Sequence, residues 1–257
     1  MDNKPLISII TATYNSQNTL DKFINSIVNQ SYKNFELIII DGASKDNTID
    51  IIKQHSDHII KWISEKDNGV YDAWNKGLTY AKGDWITFIG SDDELYHDAL
   101  ENYIDFINNS QEQYDLISSR IHIINDNNDI VRTLGWPWEW KKSRKVFTIA
   151  HPGALHKKDL FSKFGNFNTM FKICGDYDFL LRCGEDMKAG FMNKVTLRMA
   201  LGGLSDTHAV LKETYKILRV TSKLNYIDAT YIYTLQSLKY FIRKGFRQLG
   251  LNIALKK

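Results

Sequence analysis

The strongest constraint on how this chain folds is an alternation that runs through its first hundred residues. Residues 6–10 (Leu-Ile-Ser-Ile-Ile) and 35–40 (Phe-Glu-Leu-Ile-Ile-Ile) are short apolar runs. Near-continuous runs of this kind mark strands covered on both faces. Between them Leu20, Phe23, Ile24, Ile27 and Val28 recur at helical spacing. The pattern then repeats. A helix is expected from about residue 46, with Ser44 or Asp46 as its cap. Strands are expected at 59–64 and 85–89, and helices at 70–81 and about 94–107; Ser91-x-x-Glu94 matches a capping box for the last of these. Such a βαβαβαβα order predicts an α/β fold with a mostly parallel sheet and helices on both faces.

After residue 110 the alternation breaks. Residues 114–124 and 130–134 read as strands around an Asn/Asp turn at 125–129. Residues 176–187 read as a helix, 192–201 as a strand, and the chain continues in aromatic-rich helical segments from about residue 209.

Bulk properties narrow the function classes. Of 257 residues, 43% are hydrophobic and 25% charged, ordinary for a globular protein, and a net charge of +3 gives no footprint for nucleic acid. No segment reaches the roughly 20 apolar residues of a membrane span, and residues 6–12 make too short a core for a signal peptide. Cys174 and Cys183, nine residues apart, fall on opposite faces of a helix, so the expected setting is a reducing, cytoplasmic one. The charge is uneven: Asp and Glu are absent from Ala229 onward, whereas Lys239, Arg243, Lys244, Arg247, Lys256 and Lys257 are basic.

In an open parallel sheet, ligands bind beyond the carboxyl ends of the strands. Each of the first four expected strands ends in a polar cluster: Thr13-Tyr14-Asn15, Asp41-Gly42-Ala43-Ser44, Glu65-Lys66-Asp67-Asn68-Gly69 and Ser91-Asp92-Asp93. On one sheet edge they would converge on one crevice. Two carboxylates on a tight turn repel unless a cation neutralises them, and Mg²⁺ or Mn²⁺ binds through one or two carboxylates plus substrate phosphates. The P-loop, dinucleotide and Gly-x-Ser-x-Gly motifs are all absent.

Taken in order, these motifs resemble family 2 glycosyltransferases of the GT-A fold. The matching pieces begin with Ile9-Ile10-Thr11-Ala12-Thr13-Tyr14-Asn15, Ser26-Ile27-x-x-Gln30-Ser31-Tyr32, and the run from Phe35 through Asp41-Gly42-x-Ser44-x-Asp46-x-Thr48. They continue with Ser64-Glu65-x-Asp67-x-Gly69-x-Tyr71-Asp72-Ala73-x-Asn75-Lys76-Gly77, Gly83-Asp84, Ser91-Asp92-Asp93, His151-Pro152 and Gly175-Asp176-Tyr177-Asp178. The resemblance implies a GT-A domain over residues 1–208, with a donor half of about 1–110 and an acceptor half of about 111–208. A basic, aromatic-rich helical appendage of 209–257 follows.

By the same resemblance, Thr13, Tyr14, Asn15, Asp41, Asp67, Asn75 and Asp92 bind the nucleotide, with Tyr14 and Asp41 at the base and Asp92 on the ribose side. Asp93 is the implied metal ligand bridging to the diphosphate. Asp176 is the implied catalytic base, preceded here by Gly175 where the family has Glu, which leaves Asp178 as a competitor. The implied activity is inverting, metal-dependent transfer of one sugar from a nucleotide-sugar donor to a glycan or lipid-linked glycan in surface polysaccharide synthesis. A UDP-sugar is favoured, with dTDP-rhamnose as the alternative. The long pore-forming spans and Gln-x-x-Arg-Trp signature of processive members are absent. The rival classes, a nucleotidyltransferase and a non-catalytic nucleotide-sugar scaffold, are opposed by the lack of a basic phosphate loop and by the presence of both Asp93 and Asp176.

Four features sit outside that assignment. His151 precedes Pro152-Gly153, a turn, and is expected near acceptor or diphosphate. His208 follows a Gly-rich stretch and either completes the metal shell or is a solvated loop residue. Trp136 and Trp138 are candidates to stack on acceptor sugar, or to pack on the sheet or a membrane. The helical spacing of Tyr226, Ile227, Tyr231, Ile232, Leu235, Leu238, Phe241 and Ile242 fits either an interfacial membrane helix at the inner face of the cytoplasmic membrane or a core or homo-oligomer contact.

Overall fold

The computed structural model describes residues 4–203 and 207–248. Its amino-terminal half follows the alternation: β1 (Ile7–Thr13), α1 (Leu20–Val28), β2 (Phe35–Asp41), α2 (Thr48–Gln54), β3 (Lys61–Ser64), α3 (Val70–Leu78) and β4 (Trp85–Phe88). Then come β5 (Glu94–Leu95), α4 (Ala99–Asn108), β6 (Leu116–Ile124), β7 (Ile130–Leu134), α5 (Trp140–Ser143), β8 (Ala150–Lys157), α6 (Asp159–Phe164), α7 (Gly175–Cys183), β9 (Ala189–Ala200), α8 (Ala209–Val220) and α9 (Tyr226–Gln248). Among the described residues the strands form one sheet in the order β3-β2-β1-β4-β8-β6-β9-β5, with β7 added beside β6.

The first four strands in that order are parallel, and β8 enters antiparallel between β4 and β6. Alternation within each strand explains the two layers. Ile7, Ile9, Leu37 and Ile39 face the cluster that holds Leu20, Phe23, Ile24 and Ile27 of α1. Their neighbours Ile10, Ile38 and Ile40 face Tyr71, Trp74, Phe88, Phe161 and Phe179 on the other side. Successive side chains point to opposite faces, so a strand buried on both must be apolar throughout.

Three expectations are corrected. Glu94 and Leu95 pair with Arg198 and Leu197 of β9, so α4 starts at Ala99 and the capping box at Ser91 does not form. That pairing partner lies a hundred residues away, invisible to local spacing. His151-Pro152-Gly153 lies within β8 and is not a turn. The helix expected over 176–187 spans Gly175–Cys183 and stops at Gly184, whose φ of 85° is left-handed. α8 packs on the body, with Ile217 in a third cluster with Phe171, Cys174, Tyr177 and Leu181. Only α9 lies outside the body, resting on α8. Both cysteines are buried free thiols. Among the described residues no helix is long and apolar enough to cross a membrane.

Candidate active site

Register brings the polar strand ends together. Thr13 pairs with Asp41, and Asp41 with Ser64, so β1, β2 and β3 end at one level. The following loops are stitched across one another. Asn15 N–H donates to Ser44 Oγ (2.8 Å), Ser16 N–H to Thr48 Oγ1 (2.7 Å) and Gln17 N–H to Asp46 Oδ2 (3.1 Å). Asn15 Oδ1 returns the contact by accepting from Lys45 N–H (2.9 Å), with Asn15 in the left-handed region at φ 50°. The turn after β4 joins the same edge, since the Ser16 and Ser91 hydroxyls lie 2.9 Å apart.

This frame divides the expected nucleotide residues. Tyr14 is 61% exposed at the rim, free to offer a ring face. Asp41, in contrast, is fully buried: its carboxylate accepts from Ser44 N–H (2.9 Å), Ser44 Oγ–H (2.5 Å) and Ser64 Oγ–H (2.6 Å). It fastens β2 to β3, with Oδ1 engaged by Ser44 and Oδ2 by Ser44 and Ser64. The carboxylate beside Tyr14 belongs to Asp67. A Cβ on Gly42 would lie 2.7 Å from Asp67 Oδ2 and 3.5 Å from the Tyr14 ring, so the missing side chain at Gly42 is what lets that carboxylate in. Asn75 is likewise reassigned. Its amide donates to Phe167 O (2.9 Å) and accepts from Phe167 N–H (3.0 Å), clamping a loop of the acceptor half. Thr13 is buried, and its hydroxyl has no hydrogen-bond partner.

On the turn after β4, Asp92 is exposed and Asp93 buried. Asp93 Oδ2 accepts from Gly90 N–H (3.1 Å), whereas Oδ1 is buried with no partner. Burial, reinforced by the neighbouring Asp92 charge, pushes the Asp93 carboxyl well above the usual range. A buried carboxylate with a vacant lone pair beside a second carboxylate is a poor arrangement for a bare protein and a good one for a hard cation. The donor set therefore fits a divalent metal, with Asp93 as its protein ligand. Among the described residues no group of three or more His, Cys, Asp or Glu is placed to hold a metal alone, so its remaining ligands would come from phosphate and water. The His208 ring lies against Tyr240 (6.1 Å) and Phe241 (5.7 Å) of α9.

Asp176 occupies the first turn of α7, where the helix dipole favours a negative charge. Oδ1 accepts from the Tyr71 hydroxyl (3.0 Å) and from Tyr177 N–H (2.8 Å). Burial nevertheless dominates and raises its pKa to about 6, against the pull of these two hydrogen bonds. His151 Nδ1 lies 3.9 Å from Oδ2. Burial lowers the His151 pKa to about 3, so the ring is neutral at physiological pH and forms no ion pair. Its ring packs on both Trp74 (5.7 Å) and Phe88 (6.1 Å), an inner wall beside Asp176. Asp178 is removed as a competitor: it is buried, accepts from Thr221 Oγ1–H (2.6 Å), and pairs with Arg182 Nε (3.0 Å).

Gly175, the departure from the family pattern, has a steric reason. A Cβ there would lie 2.8 Å from two carbons of the Tyr71 ring, which needs that space to reach Asp176. Sequence reasoning missed Glu213 on α8. Its Oε1 accepts from Lys172 N–H (2.7 Å) and its Oε2 from Ile173 and Cys174 N–H (2.9 Å each), while Ile173 O accepts from Tyr71 (2.7 Å). The segment leading into Asp176 is held from both sides, by α3 and α8. Only the isolated acidic residue on α8 hinted at this. Trp138 is partly buried, packs against both neighbouring clusters, and has a buried indole N–H without a partner; Trp136 N–H donates to Thr148 O (3.3 Å).

Comparison with known proteins bears on this geometry. Residues 8–169 match the model of glycosyl transferase family 2. A "PGL/p-HBAD biosynthesis glycosyltransferase" of Mycobacterium bovis is 32% identical over 231 residues, covering 86% of each chain. Staphylococcus aureus TarS, residues 1–349 with UDP-GlcNAc, superposes with a TM-score of 0.69 at 17% identity, over 94% of this chain and 72% of that one. The mannosyltransferase PcManGT of Pyrobaculum calidifontis, with GDP-Man and Mn²⁺, gives 0.62 at 19% identity over 83% and 62%. The chain is a glycosyltransferase and belongs to glycosyl transferase family 2.

Proposed function

We propose that the protein is an inverting, metal-dependent transferase that moves one sugar from a UDP-sugar to a hydroxyl of a glycan or lipid-linked glycan in surface polysaccharide synthesis. The observation that carries this reading is the buried, partnerless oxygen of Asp93 on the sheet edge that also presents Tyr14 and Asp67. TarS with UDP-GlcNAc and PcManGT with GDP-Man and Mn²⁺ support donor and metal classes without selecting one donor.

In this reading Tyr14 packs on the base, Asp67 accepts from its edge, and Asp92 faces the ribose. Asp93 would hold Mn²⁺ or Mg²⁺, which would supply positive charge against the leaving diphosphate. Asp176 takes the proton from the acceptor hydroxyl as that oxygen attacks the anomeric carbon from the face opposite the leaving group. Tyr71 and Tyr177 N–H orient its carboxylate, and its raised pKa makes it a better proton acceptor than an ordinary aspartate. One displacement inverts the configuration. The acceptor enters over α7 past the Trp136–Trp138 segment, and transfer takes place in the cytoplasm, where nucleotide sugars are made.

Calorimetric titration with UDP, GDP, TDP and CDP, with and without Mn²⁺, tests this. Metal-dependent binding of UDP that Asp93→Ala abolishes is the expected result. Preference for TDP would replace the donor with a TDP-sugar such as dTDP-rhamnose, and failure of every nucleotide to bind would overturn the donor site.

A further inference from the structure

One exposed side chain links the segment leading into α7 to the loop that carries Asp67. Lys172 Nζ donates to Asn68 O, 104 residues away in the chain. Its stem runs over Gly69, where a Cβ would lie 3.4 Å from Lys172 Cδ. Gly69 has a φ of 109°, a conformation open to glycine, and the turn before α3 can therefore lay its backbone against that stem. Lys172 is itself anchored, because its own N–H donates to Glu213 Oε1 (2.7 Å).

The Asn68 carbonyl and the Gly69 N–H belong to one planar peptide unit. The carbonyl accepts from Lys172, and the N–H donates to Asp67 Oδ1 (2.8 Å). The other oxygen of that carboxylate, Oδ2, is the one that fills the space over Gly42 beside Tyr14. The direction of the Asp67 carboxylate is thus set by a peptide plane whose far side is pinned by Lys172. A cation at the carbonyl also polarises the unit and strengthens donation from its N–H. The pieces on either side are fixed from α3: Asn68 N–H donates to Asp72 Oδ2 (3.0 Å), and Lys76 Nζ donates to Lys66 O (3.3 Å).

We propose that Lys172 is a positioning residue for base recognition: it pins the Asn68–Gly69 peptide and thereby aims the Asp67 carboxylate. This rests on the proposed role of Asp67 at the base edge. The consequence is selectivity among bases more than affinity for diphosphate. Uracil offers a ring N–H to a carboxylate at the position where cytosine has a bare acceptor nitrogen.

The test is calorimetric titration of UDP and CDP, with Mn²⁺, into the full chain as wild type, Lys172→Met, Asp67→Ala and the double variant. Lys172→Met keeps the stem over Gly69 and removes the donor. UDP binding should weaken about fivefold, the size of one hydrogen bond, while CDP binding moves less than about twofold. In the Asp67→Ala background the same change should cost less than about twofold, since Lys172 acts through Asp67. In the protein without nucleotide, exchange of the Gly69 amide, followed by NMR, should rise at least about threefold in Lys172→Met. Unchanged UDP binding or an equal loss for UDP and CDP would overturn the proposal. So would a full fivefold loss in the Asp67→Ala background, which would mean that Lys172 touches the nucleotide itself. Unchanged Gly69 exchange would overturn the contact. A wild type that binds neither nucleotide, with Gly69 exchange responding as expected, would overturn the donor reading and the base-recognition role with it, and leave the Lys172 contact standing.

Discussion

Replacing Glu213 by alanine removes one carboxylate that accepts three backbone N–H groups from residues 172–174. Hydrogen bonds to an ionised acceptor contribute about 1.5–3 kcal/mol each. Glu213 is half-buried, so water replaces part of that, and the net loss of stability is expected at about 2–3 kcal/mol. The larger effect is positional. Cys174 immediately precedes α7, and Asp176 is its second residue, so slack in this segment is transmitted to the base. A shift on the order of 1 Å can cost about a hundredfold in rate, so kcat should fall between about tenfold and a hundredfold. Nucleotide affinity should fall less than kcat, because Glu213 reaches the donor loop at one remove, through Lys172, whose Nζ donates to Asn68 O beside Asp67. Glu213→Gln should fall between wild type and alanine: one oxygen still accepts from Ile173 and Cys174, while the amide nitrogen faces Lys172 N–H. The assay is steady-state transfer alongside calorimetric Kd for the nucleotide, with Asp176→Asn as reference. Wild-type kcat in Glu213→Ala, with Asp176→Asn inactive, would refute the reasoning; an active Asp176→Asn would refute the base assignment instead.

Two further outcomes follow from the same geometry. Asp176 must be ionised to accept a proton, so kcat should hold above about pH 6 and fall roughly tenfold per unit below it; a flat profile from pH 5 to 8 would exclude it as base. Because burial raises that pKa from 3.8, the folded state loses stability as pH rises through this window. Asp176→Asn should therefore melt higher than wild type at pH 7.5, by up to about 3 kcal/mol, and an unchanged or lower melt would contradict the assigned burial cost. Asp178→Asn should destabilise by about 2 kcal/mol through its contacts to Thr221 and Arg182, yet keep the wild-type pH profile of transfer; loss of that profile would return Asp178 to consideration as the base.

The sequence by itself determined the parallel half of the sheet, because a strand buried on both faces must be apolar at every position, and β1 and β2 are written that way. It singled out the Asp92-Asp93 turn proposed to hold the metal, because adjacent carboxylates at a strand end have few purposes, and through family resemblance it pointed to Asp176 as the proposed base. What only the tertiary structure decided depends on contacts between residues far apart in the chain. β5 exists because β9 pairs with it, although residues 94–107 carry a helical signal throughout. Asp41 and Asp67 look interchangeable as strand-end carboxylates; the register with Ser64 consumes the first, and the space at Gly42 opens the second. His151 was legible as a residue of interest but not as a buried neutral wall, since that rests on packing against Trp74 and Phe88. The roles of Glu213 and Gly175 had no local cause to read, because each acts through partners 39 or more residues away in the chain: Glu213 through the N–H groups that lead into α7, and Gly175 through the ring of Tyr71. Local spacing encodes which face of an element is apolar. Which polar group is left free at the site is settled only when the elements meet.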